Sequence, residues 1–356
     1  MTGRFAVIST FPPTPCGIAT FSAALCGALS RAGNDVTAIR IDDDRRVDDA
    51  QLAASRADAV IIQHEYGLYA GPDGDSVVDL VRSIEAPLIV VAHTVLRRPT
   101  AHQRQVLEAV TDAADSVVVM TEAGLEMLVG DFGVDPSKVV VIPHGAAVAS
   151  RADAHTEPRH REVLTWGLLG PGKGIEWAID AVGQLADLSP RVTYRIAGDT
   201  HPKVARTDGD AYRDMLRRRA LHLGLSDRVT FDAGYRSTEA LGGLLASASV
   251  VVLPYDSPDQ VTSGVLVDAV AAGRPVVATA FPHAVELLAT GAGLVVPRHD
   301  PDALAAALRR VLTEPGLAAA MAAEARSLAP ELAWSAVASR YAHLGLSLGD
   351  RGAVSA

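Results

Sequence analysis

The feature that most constrains this chain is a rhythm that runs, stops and then starts again. Short apolar runs rich in Val and Ile alternate with Ala- and Leu-rich stretches of helical period. In the first half this spacing predicts strands at 4–9, 35–41, 58–63, 87–92, 115–119 and 138–142, with helices between them such as 19–32 and 101–113. Residues 145–160, GAAVASRADAHTEPRH, are small and polar and read as a linker. The rhythm then restarts, with strands at 162–168, 191–197, 228–232, 249–253, 275–278 and 293–296. A last helical stretch near 333–346 has no strand after it. Strands this apolar on both faces suit parallel sheets covered by helices on each side. At 356 residues the chain exceeds one ordinary core. The expectation is α/β, with two doubly wound parallel-sheet domains, 1–150 and 161–332, facing each other across a cleft. In such sheets ligands bind outside the carboxyl ends of the strands, so the strand-to-helix loops are where chemistry should lie.

The composition narrows the classes of function. A net charge of −10 argues against nucleic-acid binding and against binding to an anionic membrane, both of which need a basic footprint. The most apolar runs, 86–92 and 246–254, are far too short to span a bilayer. The opening MTGRFAVIST does not read as a signal peptide, and a cytoplasmic protein is expected. Cys16 and Cys26 are the only cysteines, which rules out a disulfide framework or a cysteine zinc site. His64, Glu65, His93 and His144 lack metal-ligand spacing, so no metal site is expected.

Five loops carry candidate chemistry. FPPTPCGIATF (11–21) places Gly17 just before a helix, where a backbone can approach a ligand, but it is not a dinucleotide fingerprint. QHEYGLYAG (63–71) sets His64, Glu65 and Tyr66 at a strand end, a polar and aromatic set suited to sugar hydroxyls or to an ordinary surface network. VVAHTV (90–95) ends a buried strand with His93. GLLGPGKG (167–174) is one residue short of a Walker A phosphate loop, because Gly174 stands where the magnesium-binding hydroxyl belongs. Lys173 can still serve as a point charge on a diphosphate without metal. In YDSPDQVTSGVLVDAVAAGRPVVAT (255–279) a helix starts near Thr262–Gly264. The amides of Ser263, Gly264 and Val265 then form an anion site, and Asp268 leans back toward it within reach of ribose hydroxyls.

Together these residues resemble a retaining glycosyltransferase of family four, with the GT-B fold. The resemblance spans nearly the whole chain. It rests on PCGIATF, AHTV, VIPHG, GLLGPGKG, RIAGDTHP, FDAGY and SGVLVDAVAAGRPVVAT, met in that order. The resemblance implies that Lys173 neutralises the donor diphosphate and that the helix-start amides at 263–265 bind its distal phosphate. It matches Asp268 to the acidic residue on the ribose, and Gln260, beside Asp259, to the one touching the donor sugar. It puts Tyr235 in the loop that reads the nucleobase, and His93 beside the reacting sugar. It also implies that the helix around Trp334, within 333–356, crosses back onto the first domain.

Two positions depart from the family pattern. Leu168 replaces an arginine that would share the diphosphate, leaving Lys203, Arg206 or Arg236 as substitutes, and Gln260 is an amide where a carboxylate is usual. The implied activity is transfer of a hexose, with retention, from a GDP-mannose or UDP-glucose class donor to a saccharide or glycoside hydroxyl, with no metal or other cofactor. The acceptor would meet His64, Glu65 and Tyr66. The alternatives are a sugar-nucleotide epimerase of the same fold, a non-catalytic nucleotide-sugar-binding protein and, weakest, a P-loop NTPase.

Overall fold

The computed structural model describes residues 2–41, 56–148, 161–234, 236 and 238–355. The chain forms two compact units, Met1–Gly145 with Ala333–Ala356, and Ala146–Leu332. Of the expected linker, residues 149–160 lie outside the described residues.

In the first unit six strands form one parallel sheet in the order β2-β1-β3-β4-β5-β6. They are β1 (Arg4–Ser9), β2 (Asp35–Arg40), β3 (Ala59–His64), β4 (Leu88–Ala92), β5 (Ser116–Val119) and β6 (Val139–Val141). The central strands β3 and β4 are buried along their whole length, which is why they read as unbroken apolar runs. Strand order reverses between β1 and β3, so the loops after these two strands flank the switch point. Helix α1 (Gly17–Arg31) follows the first of them.

The second unit's sheet is also parallel, in the order β12-β11-β10-β7-β8-β9. Its strands are β7 (Arg161–Trp166), β8 (Val192–Ala197), β9 (Val229–Asp232), β10 (Val250–Leu253), β11 (Val276–Thr279) and β12 (Gly293–Val296). Its switch point falls between β7 and β10. β7 pairs with β8 from Arg161 through Trp166, but with β10 only at Val163 and Leu164. Beyond Leu164 the seam is closed by a side chain, the Thr165 hydroxyl donating to the Val252 carbonyl at 2.6 Å. The strands' carboxyl ends thus part where α2 (Ile175–Gly183) and α3 (Gly264–Ala271) begin. β7 stops at Trp166, two residues before the expected end, because Gly167 turns the chain with φ at 123°.

The closing helix α4 (Trp334–Ser355) is longer than the expected 333–346 and belongs to the first unit. Its Val337, Ala338 and Tyr341 are buried in one core with Phe5, Phe21 and Ile61. The helix lies so close to the sheet that a Cβ on Gly345 would stand 2.6 Å from the Phe5 ring. The two places where the chain passes between units are tied by Ala146 N–H donating to Leu332 O at 2.8 Å. Among the described residues no helix is long and apolar enough to cross a membrane.

Candidate active site

The loop after β7 is the glycine-rich turn that carries Lys173. Its Gly167, Gly172 and Gly174 have φ of 123°, 85° and 61°. At Gly174 the space is as restrictive as the backbone, since a Cβ there would stand 1.8 Å from the Pro254 carbonyl oxygen. No serine or threonine fits, so this is not a phosphate loop that has lost its hydroxyl. The turn is tied to the loop after β10 by Asp256 N–H, which donates to Gly172 O at 3.0 Å, while Trp177 Nε1 donates to the Asp256 carboxylate at 3.0 Å. The Lys173 side chain is half-buried and, among the described residues, forms no ion pair. Its Nζ sits 4.2 Å from the centroid of the Tyr255 ring. Burial lowers the amine's pKa to about 8, so an incoming anion would hold the proton more firmly.

Across the switch point α3 begins at Gly264, with Ser263 as its N-cap and the Ser263 hydroxyl accepting Leu266 N–H at 3.3 Å. The expected trio of amides is reduced to two. Ser263 N–H donates to Nδ1 of the buried His283 at 2.8 Å, which leaves Gly264 and Val265 as the uncapped amides of the first turn. This end of the helix faces the lysine turn closely enough that a Cβ on Gly167 would lie 3.5 Å from Val265 Cγ2. Asp268, one turn along, is half-buried, and no hydrogen bond or ion pair to another described residue holds its carboxylate. Burial alone raises its pKa to about 7.

The residues between β10 and α3 divide by role. The Gln260 side-chain amide donates to the Thr262 carbonyl, and the Gln260 carbonyl accepts His283 N–H at 3.3 Å, so Gln260 braces the loop. Asp259 Oδ1 and Thr262 Oγ1 are buried without a partner among the described residues. Tyr235 lies outside the described residues. None of the three substitute cations is joined to Lys173 by any contact among the described residues. Arg236 is paired with Asp232, while Lys203 and Arg206 are exposed on the helix Pro202–Asp208.

In the first unit His93 follows β4 and shares a 2.6 Å hydrogen bond through Nε2 with Gln63 Oε1. Burial, reinforced by His144 and then His64, lowers its pKa to about 3, so it is a neutral imidazole. Phe21 stands edge-on to His93, His144 and Trp334, each at 5.0 Å between ring centroids. Gly145 admits this arrangement, because a Cβ there would come 2.4 Å from the Trp334 ring. The expected acceptor group does not form an open polar set. β3 extends one residue further than expected, so His64 is its last residue, 1% exposed, with neither ring nitrogen partnered among the described residues and a pKa lowered to about 4 by burial. Tyr66 is buried edge-on to it at 5.3 Å, with its hydroxyl unpartnered among the described residues. Glu65 accepts Gly67 N–H at 2.8 Å and closes its own turn. Gly17 opens α1 with nothing within 4 Å of where a Cβ would stand, so the approach to the backbone there is open.

The family model for glycosyl transferases group 1 matches residues 150–328. This chain belongs to that family. As a member it is a glycosyltransferase. It is 28% identical to the D-inositol 3-phosphate glycosyltransferase of Corynebacterium efficiens over 305 residues, which cover 79% of this chain and 70% of that protein. It is 31% identical to the enzyme of that name from Kineococcus radiotolerans over 252 residues, 65% of this chain and 57% of the relative. Among solved structures it is similar to Anabaena HepE in complex with UDP-glucose, with a TM-score of 0.74, 18% identity and coverage of 96% of this chain and 99% of the other. It is likewise similar to an Escherichia coli trehalose-6-phosphate protein bound with UDP-2-fluoro glucose, with a TM-score of 0.73, 14% identity and coverage of 96% and 99%. At these identities the structures show the GT-B fold, and both six-stranded parallel sheets agree with it.

Within a glycosyl transferase of this group the geometry of the second unit acquires a direction. A cation on the loop after β7 and two open amides at the start of α3 flank the β7/β10 switch point, an arrangement that can receive the two phosphates of a leaving group. Tyr255 and His283 escaped the reading of the sequence. His283, 20 residues after Ser263, takes its N–H, and Tyr255, eight residues before it, lies under the Lys173 ammonium. The one local sign was an aromatic residue directly after Pro254 at a strand end.

Proposed function

We propose that this glycosyltransferase moves a hexose from a nucleoside-diphosphate sugar of the GDP-mannose or UDP-glucose class to a hydroxyl of a saccharide or glycoside, with retention and without metal. The observation that carries the reading is the placing of the Lys173 ammonium, without an ion pair among the described residues, and of the open amides of Gly264 and Val265 beside the β7/β10 switch point. As the bond from sugar to phosphate breaks, negative charge grows on the diphosphate. Preorganised donors aimed at it are worth about 10²–10³ each in rate. The scheme assigns Asp268 to the ribose hydroxyls and Asp259, with its unpartnered oxygen, to the donor sugar. His93, held neutral, faces no carboxylate nucleophile in this scheme. The acceptor hydroxyl attacks from the side of the departing phosphate, which takes its proton. Glutamine at 260 serves the loop rather than the sugar.

UDP-glucose in the HepE complex supports including uridine donors. The name of the curated relatives adds D-inositol 3-phosphate to the acceptors to be tried. Both cysteines are free thiols, in keeping with a cytoplasmic setting. The test is to incubate the protein with UDP-glucose, GDP-mannose or UDP-N-acetylglucosamine and a panel of acceptors, with and without a chelator. Released nucleoside diphosphate and the anomeric configuration of the product are then measured. Retention with chelator-resistant turnover is expected. Donor that binds and never turns over with any acceptor would make the chain a binding protein, and loss of turnover with chelator would overturn the metal-free scheme.

A further inference from the structure

Tyr255 has no place in the scheme above, yet it touches both halves of the anion site. It is 2% exposed, and its ring lies under the Lys173 ammonium at 4.2 Å. Its hydroxyl faces the side chain of Ser263, the N-cap of α3, whose polarity offsets part of the rise that burial gives the phenol's pKa. Its carbonyl accepts the Thr279 hydroxyl at 2.5 Å, and Phe281 stacks on its ring at 5.1 Å and 27°. The segment that supplies Phe281 also supplies His283, which takes the Ser263 N–H. The ring is therefore fixed by Thr279 and Phe281 and makes contacts toward the site from its face and its hydroxyl.

We infer that Tyr255 is a positioning residue that sets the separation between the Lys173 ammonium and the open amides of α3. With no carboxylate of the described residues paired to it, the lysine is held by the electron-rich face of the ring. That contact keeps the ammonium localised without spending its charge on a permanent counter-ion, so the charge is available to a diphosphate. A carboxylate in place of the ring would hold the lysine and neutralise it. This goes some way to explain how the family pattern tolerates Leu168: one cation, held still, serves where two are usual.

The inference rests on the reading of this site as a diphosphate site, and the experiment separates the two. UDP and GDP are titrated by calorimetry into the wild type, Lys173→Ala, Tyr255→Phe and Tyr255→pentafluorophenylalanine, and into the last two combined with Lys173→Ala. Failure of the wild type to bind either nucleotide, or unchanged affinity in Lys173→Ala, would sink the diphosphate reading itself. Given that reading, the two ring variants lose the hydroxyl alike and differ in the charge on the ring face. Tyr255→Phe should weaken binding a few-fold by loosening Ser263. The fluorinated ring should weaken it about tenfold more, about 1.4 kcal/mol, as expected for a partly desolvated cation on an aromatic face. In the Lys173→Ala background the two ring variants should bind equally. Equal affinities with Lys173 present, or the same tenfold gap without it, would show that Tyr255 merely fills the core.

Discussion

Gly174→Ser would turn residues 167–174 into a full Walker A sequence, and the structure predicts damage rather than a new function. Gly174 is the N-cap of α2 with φ at 61°, and a left-handed non-glycine residue costs about 1–3 kcal/mol. A serine Cβ would also sit 1.8 Å from Pro254 O and 3.0 Å from Trp177 Cδ1. Real Cβ contacts essentially never fall under 3.0 Å, and the first obstacle is backbone at the end of β10, so the lysine turn and that strand must move apart. Overpacking of this kind costs about 1–3 kcal/mol more. The combined loss of roughly 2–6 kcal/mol should lower the Tm of the second unit by about 5–20 °C, at a few degrees per kcal/mol for a unit of this size. Gly172→Ser is the control, because it carries the same backbone cost at φ 85° with nothing within 4 Å of the added atom. Calorimetric unfolding reads the stability, and titration with ATP and GTP in magnesium reads any gained function. A variant that melts with the wild type, or that acquires magnesium-dependent triphosphate binding, would refute the steric argument.

The ionisable groups give further tests. Lys173 loses its proton near pH 8, so kcat/KM should fall above that pH, and Lys173→Arg should move the fall to higher pH while lowering the rate; an unmoved alkaline limb would assign it to another group. Asp268 has its pKa raised to about 7 in the fold, so burying its charge destabilises the protein increasingly as pH rises from the unfolded value near 4 toward 7. Asp268→Asn should therefore be more stable than wild type at pH 8 and no more stable at pH 4, while binding the nucleoside diphosphate more weakly; unchanged affinity would remove it from the ribose. His64, His93 and His144 have folded pKa values lowered to about 4, 3 and 4, so stability of the first unit is full above the unfolded value near 6.5 and falls as pH drops toward 3. His64→Leu, which removes two unpartnered nitrogens, should resist acid unfolding better than wild type; an unchanged acid midpoint would mean that His64 is not buried neutral.

What was legible in the sequence was whatever depends on near neighbours. Strands such as β3 and β4, buried on both faces, leave short β-branched apolar runs that turn residues bound on either side. Lys173 and the start of α3 were legible because a glycine-rich turn and a Ser-Gly helix start are short-range signals. Errors arose where a partner lies far along the chain. Ser263 looked like three amides' worth of anion site together with its neighbours, until His283 claimed its N–H. His64 and Tyr66 read as a polar display because a strand end is usually wet, whereas here β3 runs one residue deeper and both side chains are buried. The end of β7 was misjudged by two residues because φ at Gly167, not residue type alone, stops the strand.

The arrangement of the two units also bears on the order in which the protein is made. The second unit is one continuous stretch, Ala146–Leu332, set as an insertion into the first. The first unit's core needs Val337, Ala338 and Tyr341, which leave the ribosome only after the whole insertion has been synthesised. Domains usually mature in the order of synthesis. Here the later unit is free to fold first, while the sheet of the earlier one waits, with the side of Phe5 and Phe21 uncovered, for its last helix. Until α4 docks, that apolar face is the part of the nascent chain most in need of protection from aggregation.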